Sequence, residues 1–141
     1  MQKLLKGQLA IITGGGRGIG KVIANRFASE GCDLALVSRS KSQLKDVADT
    51  ITQLHEVKVS IFEIDVSSER DVLSMVEKVH KIYGKISILV NNAAIIGPIG
   101  EVSDIDGNKF LETLNINVGG TFFCTKAVVK YMKNQNQGNI I

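Results

Sequence analysis

The sequence predicts an α/β fold: a doubly wound parallel sheet with helices on both faces, in one domain over residues 1–141 that is cut within its fifth strand. Three observations predict it. Short apolar runs suited to buried strands alternate along the chain with segments whose apolar residues recur at helical spacing. The first run, Leu9-Ala10-Ile11-Ile12, feeds a glycine-rich turn, Thr13-Gly14-Gly15-Gly16-Arg17-Gly18-Ile19-Gly20, that opens a helix. Residues with binding chemistry fall just after the predicted strands, and a parallel sheet collects such residues along one edge.

Leu9–Thr13 is the first strand, short and apolar. Gly18–Glu30 is a helix with Ile19, Val22, Ile23 and Phe27 on one stripe, and Gly31 stops it. Asp33–Ser38 is a buried strand. Ser40 is placed to cap a helix whose apolar face carries Leu44, Val47, Ala48, Ile51 and Leu54. Val57–Ile64 is the third strand. Ser67 or Ser68 caps the next helix, with Val72, Met75, Val76, Val79 and Ile82 inward and Gly84 at its end. Ile86–Val90 is the fourth strand, and Asn91–Gly100 is a loop holding the sole proline, Pro98. A long helix runs from about Asp106 to Met132, with Phe110, Leu114, Asn117, Thr121, Thr125, Val128 and Met132 on one stripe. Asn136-Gln137-Gly138 turns the chain into Asn139-Ile140-Ile141, the start of a fifth strand. Right-handed crossovers give the strand order 3-2-1-4-5, with ligands expected where the winding reverses between strands 1 and 4.

Composition narrows the function classes. The 44% apolar content is ordinary for a globular chain. A net charge of +3, with the positive residues scattered, argues against nucleic acid or a membrane surface as partner. No apolar stretch approaches the roughly 18 residues of a transmembrane helix. Lys6, Gly7 and Gln8 interrupt the apolar part of the basic amino-terminal segment that begins Met1-Gln2-Lys3, which argues against a secretory signal. Cys32 and Cys124 match no metal spacing and read as small buried hydrophobes in a reducing, cytoplasmic setting. His55 and His80 have no acidic or thiol partner at ligand spacing, so no metal site is expected.

The glycine turn carries the first chemistry. Without a Cβ the backbone can approach an anion closely, and the free N–H groups at the positive end of the following helix face it. Neither G-x-G-x-x-G nor the P-loop pattern fits; what fits is T-G-x-x-x-G-x-G on Gly14, Gly18 and Gly20. Ser38-Arg39, Asp65 and Asn91-Asn92 follow strands 2, 3 and 4 onto the same edge.

Four motifs in order, Thr13–Gly20, Asp65-Val66, Asn91-Asn92-Ala93-Ala94 and Asn115-Ile116-Asn117-Val118, resemble the short-chain dehydrogenase/reductase family over the whole chain. The resemblance implies a Rossmann-type fold, a nicotinamide cofactor and hydride transfer between a hydroxyl and a carbonyl of a small-molecule substrate. It implies a cofactor-binding set of Thr13, Gly14, Gly16, Arg17, Gly18, Ile19, Gly20, Ser38, Arg39, Asp65, Val66, Asn91, Asn92, Ala93 and Ala94. Ala94 departs from the glycine usual there. Asn117 corresponds to the catalytic asparagine, and Gly119-Gly120 beside it are positioned to permit a kink. Asp65 is either the adenine contact or the cap of the next helix.

Ser38 stands where NAD-preferring members resemble one another in having Asp, Arg39 follows it, and Arg17 sits in the glycine turn. Two guanidinium forks match a 2′-phosphate, so NADP is expected over NAD. The family's Ser and Tyr-x-x-x-Lys are not found: Tyr83 is followed four residues on by Ser87, and Tyr131 by Gln135. The sequence therefore reads as the amino-terminal part of a longer enzyme, homo-oligomeric at full length. The alternative is a nucleotide-binding module or inactive fragment with no chemistry of its own.

Overall fold

The computed structural model describes residues 3–141; Met1 and Gln2, the start of the basic amino-terminal segment, lie outside the described residues. Five parallel strands, β1 (Leu9–Thr13), β2 (Asp33–Ser38), β3 (Val59–Glu63), β4 (Ile88–Val90) and β5 (Asn139–Ile140), form one sheet in the order β3-β2-β1-β4-β5. The helices are α1 (Gly18–Ser29), α2 (Lys41–Leu54), α3 (Glu69–Tyr83), α4 (Gly107–Leu114) and α5 (Gly120–Gln135). The winding reverses between β1 and β4, as the sequence predicts.

Strand alternation builds two cores. Leu9 and Ile11 of β1 point to one face, with α3 and α5; Ala10 and Ile12 point to the other, with α1 and α2. All five β1 residues are buried, as expected of a central parallel strand. Burying each Leu or Ile here stabilises the fold by about 1.5–3 kcal/mol. Both cysteines are buried, Cys32 in one core and Cys124 in the other.

The caps are local and specific. Ser40 Oγ accepts from Gln43 N at the start of α2, and Ser68 Oγ from Asp71 N at the start of α3. Ser68 is thus the cap of α3, not Ser67 or Asp65. Gly84 closes α3 with φ 74°.

Several elements differ from expectation. The fully buried residues of α1 are Gly20, Ala24 and Ala28; Ile23 and Phe27 of the expected stripe pack against the core, while Ile19 and Val22 are 72% and 67% exposed. Glycine is required at position 20 because α1 begins hard against the glycine turn: a Cβ there would collide with the Gly14 carbonyl oxygen. Leu54 and Ile82 lie in the last turns of their helices and are exposed, so the inward stripes end at Ile51 and Val79. β3 and β4 are shorter than Val57–Ile64 and Ile86–Val90. At Ile86 the backbone N–H and carbonyl are both satisfied by the side-chain amide of Gln135 (3.1 and 3.0 Å), not by a neighbouring strand.

The long carboxyl-terminal helix is not uniform. A short 3-10 turn, Val102–Asp104, precedes it, Asp106 caps α4, and a π-helical segment, Asn115–Gly119, joins α4 to α5. In that segment the Gly120 N–H reaches the Asn115 carbonyl, five residues back. The wider turn shifts the register of the apolar stripe. The buried face runs through Ile116, Gly120, Cys124, Ala127, Val128 and Met132, while Phe110 and Leu114 are exposed. Gly119 and Gly120 keep right-handed helical dihedrals, so the irregularity is the π segment and not a break at the glycine pair.

Candidate functional site

A cleft of about 460 Å³ opens at the carboxyl edge of the sheet, where the winding reverses. The glycine turn forms its floor through Gly14, Gly16, Arg17, Gly18 and Ile19. The end of β2 and the start of α2 form one wall with Ser38, Arg39, Ser40 and Gln43. Asp65 and Val66 lie beyond it, and Asn92, Ala93 and Ala94 close the opposite side. Twelve sequence-predicted residues therefore line one cavity: Gly14, Gly16, Arg17, Gly18, Ile19, Ser38, Arg39, Asp65, Val66, Asn92, Ala93 and Ala94.

The floor is shaped for close approach by a ligand. Gly18 has φ 51°, a left-handed conformation that side chains disfavour, and no atom lies within 4 Å of where its Cβ would be. The first turn of α1 has no acidic residue, and its N-cap Arg17 makes no side-chain capping bond. Its leading N–H groups are thus without a side-chain cap at the rim of an open space, which suits an anion such as a pyrophosphate. The residues present fit a dinucleotide.

Four predicted residues lie outside the lining. Thr13 is 2% exposed, and its hydroxyl is a hub: Oγ1 donates to the Val90 carbonyl (3.2 Å) and accepts the N–H groups of Asn92 and Ala93 (each 3.0 Å). The Asn92 side-chain amide donates to the carbonyls of Thr13 (3.0 Å) and Gly14 (3.3 Å), so the β4 loop is bolted to the glycine turn. Gly20 lies under the turn against that amide. Asn91 points away: its Nδ2 donates to Thr125 Oγ1 (3.3 Å), and its buried Oδ1 has no partner among the described residues. Asn117, half-buried, accepts the Ile95 N–H and donates to the Ile95 carbonyl, both at 2.9 Å.

The charged residues of the lining are Arg17, Arg39 and Asp65. Arg17 is exposed at the rim, and Arg39 Nη1 lies 3.9 Å from Asp65 Oδ2 with the arginine side chain 58% exposed. Asp65 Oδ1 accepts from Ser67 N (2.9 Å) and Ser67 Oγ (2.7 Å), so this carboxylate is fixed by the turn that follows β3. Ser38 Oγ bonds the backbone of Ser40. Sequence reasoning missed the lining residues Val37, Ser40, Gln43, Ile64, Ile95 and Ile116. Ile64 and Ile95 adjoin recognised motifs and Ile116 lies inside one, but no residue type marked them as binding groups. No His/Cys/Asp/Glu group suited to a metal occurs among the described residues.

The profile of the short chain dehydrogenases matches residues 8–141. The chain belongs to this family. Among its relatives is 3beta-hydroxysteroid dehydrogenase 2 of Eggerthella lenta, 28% identical over 98% of this chain and 53% of that protein. The NAD+-bound crystal structure of a xylitol dehydrogenase superposes with a TM-score of 0.94 at 35% identity, covering 98% of this chain and 53% of that one. A metagenomic short-chain oxidoreductase in complex with NADP gives a TM-score of 0.92 at 25% identity, covering 96% and 61%. The chain spans about half the length of the curated relatives it matches. Among the described residues, no helix is long and apolar enough to cross a membrane.

Proposed function

We propose that this chain holds NADP(H) in preference to NAD(H), and that it serves an oxidoreductase interconverting a hydroxyl and a carbonyl on a small-molecule substrate. The observation that carries the reading is the cleft itself. It joins an open glycine floor at Gly18 to a lining that includes Arg17, Ser38 and Arg39, with no acid at the tip of β2. In this reading the turn Gly14–Gly18 and the α1 N-terminus hold the pyrophosphate. Arg17, Ser38 and Arg39 receive the 2′-phosphate, where charge-assisted guanidinium contacts are strongest. Asp65 and Val66 face the adenine, and Asn92, Ala93 and Ala94 form the far wall.

When bound, the nicotinamide supplies or accepts hydride. The chain's own residues bind and orient it. Thr13 and Asn91 serve from behind the lining, and Asn117 acts through Ile95, fixing the loop that carries Ala93 and Ala94. No residue of 1–141 is assigned as the general acid, because neither tyrosine is followed by a lysine at the fourth position. A cytoplasmic setting belongs to the same reading, supported by the two buried free thiols. So does a homo-oligomer, supported by the exposed apolar residues of α4 and α5.

The test is a fluorescence titration of the 141-residue chain with NADPH, with absorbance of the reduced nicotinamide followed in the presence of carbonyl compounds. Saturable binding without consumption of NADPH is expected. Failure of both NADPH and NADH to bind would overturn the reading, and turnover would overturn the assignment of no general acid.

A further inference from the structure

We infer that Asp65 is the resident counter-ion of Arg39 and weakens the cleft's discrimination in favour of a 2′-phosphate; this rests on the NADP(H) reading above. The Asp65 carboxylate is anchored at one oxygen only. Oδ1 takes both the N–H and the hydroxyl of Ser67, at 2.9 and 2.7 Å, which turns Oδ2 toward Arg39. At 3.9 Å the contact with Arg39 Nη1 is an ion pair and not a hydrogen bond. It therefore does little to orient the guanidinium and offsets its charge in part.

Both groups line the same cavity, and both side chains are partly exposed, at 58% and 39%. The other cation of the lining, Arg17, is exposed and forms no ion pair among the described residues. A phosphate entering beside Arg39 meets a guanidinium already partly compensated, and a carboxylate next to it that repels a dianion. Because the groups are half in solvent, this opposition is screened by salt.

Asp65→Asn isolates the charge. Asparagine keeps an oxygen that can accept from Ser67, so the turn after β3 is retained while the negative charge goes. The probes are 2′,5′-ADP and 5′-AMP, bound by the 141-residue chain and followed by calorimetry; their affinity ratio reads the 2′-phosphate alone. Any change in the adenine contact is common to both probes and cancels.

Asp65→Asn raises the ratio two- to fivefold at low ionic strength, and the gain shrinks toward one in high salt. An unchanged or lowered ratio in Asp65→Asn overturns the inference, provided Arg39→Ala lowers the ratio. If Arg39→Ala leaves the ratio unchanged, the 2′-phosphate assignment itself fails, and the counter-ion role fails with it. A circular dichroism spectrum like that of the unsubstituted chain confirms that each variant is folded.

Discussion

Asn117 and Ile95 are joined by two hydrogen bonds, Oδ1 accepting the Ile95 N–H and Nδ2 donating to the Ile95 carbonyl, each at 2.9 Å. A helix side chain thus pairs with loop backbone as a neighbouring strand would. It does so from the π segment, where the Asn117 carbonyl also takes the Thr121 hydroxyl at 2.9 Å. The loop leaving β4 is consequently held at both ends, by Thr13 at Asn92 and Ala93 and by Asn117 at Ile95.

Asn117→Ala removes both bonds and leaves two half-buried backbone groups unpaired. It is expected to cost about 1–3 kcal/mol of stability, read as a lowered urea midpoint, with faster amide exchange at Ile95. Asn117→Asp keeps an acceptor for the Ile95 N–H but sets a carboxylate oxygen against the Ile95 carbonyl, so it too is expected to lower the midpoint. Midpoints equal to that of the unsubstituted chain would show that this pairing does not hold the loop.

Gly18→Val is expected to abolish dinucleotide binding while sparing the sheet. The residue has φ 51° with open space beside it, so a β-branched side chain costs about 1–2 kcal/mol for the left-handed conformation and fills the room the ligand needs. Calorimetry should find no binding, and the far-UV spectrum should be unchanged. Retained affinity would remove the phosphate assignment from this turn.

Much of this arrangement is legible in the residues. The five strands, their order and the Ser40 cap follow from apolar runs and punctuation, because a central parallel strand must be apolar on both faces. The cleft is legible because the topology places loops after β1, β2, β3 and β4 on one edge. Helix faces were harder to read. In α1 the large residues Ile19 and Val22 suggest part of a core stripe, yet Ile23 and Phe27 alone of that stripe reach the core, beside the fully buried Gly20, Ala24 and Ala28. In the long helix one π turn at Asn115–Gly119 shifts the stripe, and no residue type announces such a turn. Thr13 and Asn91 are read as ligand contacts by their place in motifs, whereas their hydrogen bonds run into the protein.

The 141-residue chain is expected to associate as its concentration rises. Phe110, Leu111, Val118 and Phe122 are 51–63% exposed along α4, the π segment and α5, an apolar surface of the kind that seeks a partner. Sedimentation analysis should show species heavier than a monomer, and Leu111→Lys with Phe122→Lys should reduce them. A monodisperse monomer at high concentration would contradict this.

The buried thiols set an alkaline limit. Burial pushes Cys32 and Cys124 from 9.0 to about 12. The folded pKa lies above the unfolded value, so the stability this contributes is complete below pH 9.0 and is lost as the pH rises toward about 12. Stability measured over that range should fall less steeply in Cys124→Ala, and both thiols should resist a disulfide reagent at pH 8 until the chain unfolds. Prompt labelling of the native chain would contradict their burial.

The preference for NADP(H) turns on Arg39. Dissociation constants for NADPH and NADH should be measured side by side on the unsubstituted chain and on Arg39→Asp. NADPH is expected to bind more tightly to the unsubstituted chain, and Arg39→Asp to cost about 1.5–3 kcal/mol of NADPH affinity while leaving NADH nearly unchanged. Equal binding of the two nucleotides by the unsubstituted chain, or an unchanged ratio in Arg39→Asp, would contradict the account.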